Sequence, residues 1–132
     1  MDPTTIERLT SALRAFGDAR LIVLFGSVVR GDARPWSDVD IGVAGVSLLR
    51  GGEIGSAVSA VVGREPHVVD LEHASDHLRF EVARGGILLA EAERDTWTRF
   101  KAEAALRWFD LAPIVALCRD GVARRLAEEA RG

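Results

Sequence analysis

Asp38 and Asp40 stand two residues apart in SDVDIGVAG (37–45), a segment whose other residues read as a buried strand. Side chains two apart on a strand share a face, so the two acids point together while Val39, Ile41 and Val43 point to the other side. Like charges held that close repel, and a divalent cation between them removes the conflict. Carboxylate oxygens suit Mg²⁺, which keeps waters and completes its shell with the phosphates of a bound nucleotide. An Asp-x-Asp pair by itself is more often two solvated acids on an edge strand, so its weight depends on what accompanies it.

What accompanies it is Gly26-Ser27, separated from Asp38 by ten residues. The apolar run RLIVLF (20–25) predicts a strand that ends at this dipeptide, and Val28-Val29-Arg30 can form the first turn of a short helix. Glycine lets a phosphate approach the backbone, serine offers a hydroxyl and an amide, and the amides at a helix start attract anions. A lone Gly-Ser after a strand is usually an ordinary turn. Four fixed positions, each at a residue frequency of roughly 0.06, match by chance in about one chain in a thousand of this length. Arg30 lies one helical turn from Ser27, where it either neutralises a phosphate or is a surface arginine. Ser37 precedes the acids and either meets the nucleotide or caps a turn. Trp36 either packs on the core or lies near the base.

These residues need a scaffold. Asp2-Pro3 starts a helix over 4–16, whose Ile6, Leu9, Leu13 and Phe16 recur at helical spacing. Strands are predicted over 20–25, 37–45 and 66–72, with helices over 50–63 and 76–86. GILLAE (86–91) is either a fourth strand or a helix lead-in. Helical residues dominate from about 94 to 130, with a break expected at Asp110-Leu111-Ala112-Pro113, where Asp110 would cap a second helix. The pattern indicates an α/β (α+β) fold, a small mixed sheet with flanking helices and a C-terminal helix pair. We expect one domain over 1–132, with the catalytic core in about 1–92.

At 132 residues the chain can bury a core but has no room for a second substrate-binding domain. Its net charge of −3, with both signs interspersed, offers no basic face for long nucleic acid. The single cysteine, Cys118, excludes an internal disulfide and a zinc cluster of cysteines, and reads as a buried thiol. His67, His73 and His77 have no metal-ligand spacing that includes a cysteine and read as surface or strand residues. No stretch has signal-peptide character or approaches the roughly 18 apolar residues of a membrane span, so a cytoplasmic protein is expected.

Gly26-Ser27, ten residues, then Asp38-Val39-Asp40 resembles the G-S-x10-D-x-D signature of the polymerase β-like nucleotidyltransferases. The short chain, the form LFGSVVRGDARPWSDVDIGV and the ending RWFDLAPIVALCRDGVARRLAEE are similar to the minimal nucleotidyltransferases, the MntA-type antitoxins paired with HEPN-domain toxins. The resemblance is strong over 22–44 and looser in the last helices. It implies a third carboxylate on a neighbouring strand, which Asp70 matches by position, with Glu72 as runner-up. It also implies two Mg²⁺ ions, or Mn²⁺, held by Asp38, Asp40 and Asp70. ATP would be the substrate, its phosphates on Gly26 and Ser27. The implied activity is AMP transfer to a tyrosine hydroxyl of the toxin, and a chain with no tyrosine must find that acceptor elsewhere. Trp97, Phe100, Ala104 and Trp108 lie on one helical stripe, with Phe109 a quarter-turn away. That is either a core face or a partner surface. Two other readings are an antitoxin that acts by contact alone and a small-molecule nucleotidyltransferase of aminoglycoside type.

Overall fold

The computed structural model describes the backbone of residues 1–34 and 37–120 and the side chains of that range up to residue 110. Trp36, the Cys118 side chain and residues 121–132 lie outside it. Helix α1 (Pro3–Leu13) starts where Asp2 accepts the Thr5 amide and proline occupies the first turn. Strand β1 (Leu21–Phe25) is buried along its whole length and passes at Gly26 into the single turn α2 (Ser27–Arg30). Strand β2 (Val39–Ala44) follows, then α3 (Leu48–Val62), capped by Ser47 and closed by Gly63. Strand β3 (Pro66–Asp70), helix α4 (Asp76–Gly85), strand β4 (Ile87–Glu91) and helix α5 (Thr96–Asp120) complete the described chain.

The four strands form one mixed sheet in the order β3-β2-β1-β4. β1 is antiparallel to both β2 and β4, while β2 and β3 are parallel, joined through α3. Helices cover both faces. Ile22, Leu24, Ile41 and Val43 pack under α1 and α3 with Leu9, Leu13, Ile54 and Val58. Leu21, Val23, Phe25 and Ala44 pack under α4 and α5 with Val82, Phe100 and Ala104. A sheet buried on both sides needs apolar residues at nearly every position of its central strand, which is why RLIVLF carries no polar alternation. The α+β class, the mixed sheet and the fourth strand are as the sequence predicts.

The C-terminal helix pair is not. α5 runs unbroken from Thr96 to Asp120, through 110–113, so Asp110 is helical and caps nothing. Pro113 has no N–H to give to the carbonyl of residue 109, a local cost of about 3 kcal/mol. The helix nonetheless continues through it to Asp120, so here the proline does not mark a helix end.

The aromatic stripe is largely core. Phe100 and Ala104 are buried, Trp97 stacks on Phe100, and Trp108 stacks on Phe80 of α4. Phe109 and Leu106 remain exposed. The large apolar surface that α5 leaves open therefore lies beside the stripe.

Candidate active site

Strand register brings the two halves of the motif together. β1 ends at Phe25, which pairs with Asp40 near the start of β2, so Gly26 lies beside the Asp40 side chain. Gly26 has φ +86°, a left-handed conformation that only glycine adopts without strain, and the chain turns there directly into α2. A Cβ built on Gly26 would run into the Asp40 carboxylate, 3.1 Å from its Cγ. Glycine is thus required twice, for the turn and for the approach. Ser27 opens α2, whose first carbonyl acceptor is Gly26 O, bonded by the Val29 and Arg30 amides at 3.1 Å.

Asp40 is half-buried. One carboxylate oxygen, Oδ1, lies 3.0 Å from His67 Nδ1, and Oδ2 is the oxygen nearest the empty Cβ position of Gly26. Asp38 is exposed, just ahead of β2, and Val39 between the acids is fully buried on the other face. The alternation expected of Asp-x-Asp therefore holds. The Asp40 carboxylate faces the glycine turn, and with the exposed Asp38 two residues earlier it offers the hard oxygen donors that a divalent cation takes.

Asp70 is not part of that cluster. In the parallel pairing of β2 with β3, Asp40 stands opposite His67 and Val43 opposite Asp70. Asp70 is three positions further along, about 10 Å at 3.3 Å per residue, and on the face of Val43 and Val68 that α3 covers. It borders a cavity of about 320 Å³ with Val43, Ser47, Gly51 and Val68. There it accepts from His73 at 2.6 Å and from the Glu72 amide at 2.9 Å. The His73 bond is the main reason that the Asp70 carboxyl is held below its ordinary range and the His73 imidazole above its own. Glu72 pairs with Arg20 at 3.1 Å and is also remote from Asp40. Among the described residues, no three His, Cys, Asp or Glu side chains are arranged as a metal-holding group.

Arg30 sits on α2 with its Nε 3.4 Å from Asp32. Both side chains are well exposed, which leaves the arginine within one turn of Ser27. Ser37 closes the loop ahead of the acids, its Oγ accepting the Arg34 amide at 2.9 Å, and so acts as a turn cap. Sequence reasoning missed His67. Only the register could have found it, because β3 is apolar on both faces and nothing in PHVVD says which side chain meets Asp40.

A sheet in which an Asp-x-Asp strand runs antiparallel to a strand ending in Gly-Ser is the polymerase β-like nucleotidyltransferase fold. The family described as polymerase beta nucleotidyltransferase matches residues 7–95, and the chain belongs to it. Among solved structures, a chain of a toxin–antitoxin complex with AMP-PNP is similar over 89% of this chain and 98% of its own, at 24% identity and a TM-score of 0.69. A chain from a complex of tri-AMPylated Shewanella oneidensis HEPN toxin with its MNT antitoxin is similar at 22% identity and TM-score 0.64, over 93% and 100% of the two chains. A structure described as a minimal nucleotidyltransferase is 33% identical over 66% of this chain and 95% of its own, with TM-score 0.55. No curated protein sequence matches the chain. Among the described residues, no helix is long and apolar enough to cross a membrane.

Proposed function

We propose that the protein is an antitoxin nucleotidyltransferase that moves AMP from ATP onto a hydroxyl, a tyrosine's, of a HEPN-type ribonuclease toxin and so neutralises it. The observation that carries this reading is the Asp40 carboxylate pressed against the Gly26-Ser27 turn. Support comes from the family assignment over 7–95 and from the likeness, over nine-tenths of the chain, to structures of toxin–antitoxin complexes.

The chemistry follows from the placement. Gly26 leaves room for a phosphate at the backbone, Ser27 supplies its amide and hydroxyl, and Arg30 stands near enough to screen charge. Asp38 and Asp40 would hold Mg²⁺ or Mn²⁺, which when bound stabilises the attacking oxygen and the leaving pyrophosphate. The acceptor hydroxyl gives its proton to water, its oxygen bonds to the α-phosphorus, the bond from that phosphorus to the bridging oxygen of the β-phosphate breaks, and pyrophosphate leaves with the electron pair. Asp70, the third carboxylate that the resemblance implies, stands three register positions beyond Asp40, opposite Val43, and the proposal does not draw on it. The acceptor must come from a partner, since the chain has no tyrosine.

The test is label transfer. Incubated with the partner toxin and Mg²⁺, α-³²P-ATP should label the toxin and γ-³²P-ATP should not. Label retained from the γ position would mean a kinase and defeat the proposal. One observation favours a second reading, neutralisation by contact alone: among the described residues no three His, Cys, Asp or Glu side chains are arranged as a metal-holding group. Under that reading Asp40→Asn would still protect cells from the toxin at normal expression.

A further inference from the structure

We infer that His67 is a positioning residue for Asp40, holding its carboxylate so that Oδ2 faces the Gly26-Ser27 turn. The inference rests on the proposed nucleotidyltransferase reading, to which it adds a residue that neither the motif nor the expected set of acids contains. His67 stands directly opposite Asp40 in the β2–β3 register, on the same face of the sheet, and its Nδ1 is 3.0 Å from Asp40 Oδ1. A carboxylate can only accept, so the imidazole donates through Nδ1–H. That bond fixes the rotation of the carboxyl group about its Cβ–Cγ bond. With Oδ1 tied to β3, Oδ2 is left toward the glycine turn, where an added Cβ would meet it.

Nothing else about His67 explains its place. Its side chain is 62% exposed, belongs to neither apolar cluster and, among the described residues, makes no other hydrogen bond. A packing role would bury the ring. A direct metal-ligand role fits less well, because Nδ1 is already committed to Asp40 and no three-ligand cluster is formed among the described residues. Groups that hydrogen-bond a metal-binding side chain set its orientation, and their removal commonly costs about 10- to 100-fold in metal affinity or activity.

Two substitutions and one spectrum test it. Asparagine can place an amide N–H near the position of Nδ1–H, whereas leucine offers no donor. Binding of Mn²⁺ with AMP-PNP, measured by calorimetry, should weaken about 10-fold or more in His67→Leu and recover to within about 3-fold of the parent in His67→Asn. Both variants should melt within about 2 °C of the parent, as expected for an exposed side chain. In the unsubstituted protein, imidazole ¹⁵N spectra should find the His67 proton on Nδ1. Parent-like binding by His67→Leu would overturn the inference, as would a proton found only on Nε2. His67→Asn as weak as His67→Leu would overturn it too, in favour of the ring as a direct ligand. If Asp40→Asn binds Mn²⁺ with AMP-PNP as well as the parent does, the nucleotidyltransferase reading itself has failed, and this inference with it.

Discussion

Asp40 with His67 and Asp70 with His73 are the same chemical pair twice, at 3.0 and 2.6 Å, both involving residues of β3 or the turn after it. The Asp70 pair is the shorter and the more exposed, and it joins the last residue of β3 to the turn that follows. Asp40 has a side chain only 25% exposed and is wedged against a glycine that no other residue could replace without moving it. The difference teaches that a tight carboxylate–imidazole contact does not by itself make a site. At Asp40 a second strand delivers Gly26-Ser27 to the same carboxylate. Asp70 instead borders a cavity lined by Val43, Ser47, Gly51 and Val68, with no glycine turn against its carboxylate.

The largest effect should come from the glycine. Gly26→Ala forces a Cβ into a left-handed residue and pushes the Asp40 carboxylate away. A displacement of that order costs about 100-fold in transfer rate, and the backbone strain costs about 1–2 kcal/mol in urea unfolding. A parent-like rate in Gly26→Ala would mean that the two halves of the motif do not work together, and the contrast between the two pairs would dissolve.

A similar contrast between held and open side chains exists on α5. Trp108 stacks on Phe80 with ring centroids 5.6 Å apart, while Phe109 meets the same ring only edge-on at 5.9 Å and stays 62% exposed. Trp108→Ala should therefore lower stability by about 2 kcal/mol, less than the 3–5 of a fully buried aromatic. Phe109→Ala, which gives up an edge contact with Phe80, should lower stability by about 1 kcal/mol. If the partner docks on this helix, Phe109→Ala should weaken toxin binding by about tenfold or more in a surface-plasmon assay, within the range of interface aromatics. Unchanged affinity would move the partner surface off this helix.

The smallest effect concerns the Asp70 pair. His73 is raised above its ordinary value of 6.5, so its contribution to stability is present below that value and fades as pH rises through the raised one. Asp70 is lowered below 3.8, so its contribution is present above 3.8 and fades as pH falls through the lowered value. Between about pH 4 and 6.5 both are present. Both groups are exposed, and solvent screening keeps the effect small. Asp70→Asn should lower the urea midpoint slightly at pH 5 and less at pH 9, and should return the His73 NMR titration toward 6.5. A His73 titration unchanged by Asp70→Asn would show that the 2.6 Å contact does not persist in solution.

The elements were legible in the sequence where a local rule and the core agreed. Asp2-Pro3 begins a helix, Gly26 ends a strand, and the apolar 20–25 is the central strand. The rule failed at Pro113, which lies inside α5 rather than at its end. Asp38, Asp40, Gly26 and Ser27 were legible because two strands joined by a short loop must pair. The distance of Asp70 from Asp40 and the placing of His67 opposite it were not legible, for one reason. Which residue of β3 faces Asp40 depends on the register of a parallel pair joined through α3, and a one-residue change in that register exchanges the faces. In PHVVD both faces offer apolar residues, so alternation gives no sign of which is which.

The most direct measurement compares the two aspartates in one assay. Asp40→Asn and Asp70→Asn are incubated with the partner toxin, α-³²P-ATP and Mg²⁺, after both are found to be folded by circular dichroism. Transfer should be lost in Asp40→Asn and stay within about twofold of the parent in Asp70→Asn, because an exposed carboxylate on the far face of the sheet touches none of the reacting atoms. Transfer that survives in Asp40→Asn, or disappears in a folded Asp70→Asn, would contradict a site built from the Gly26-Ser27 turn and Asp40.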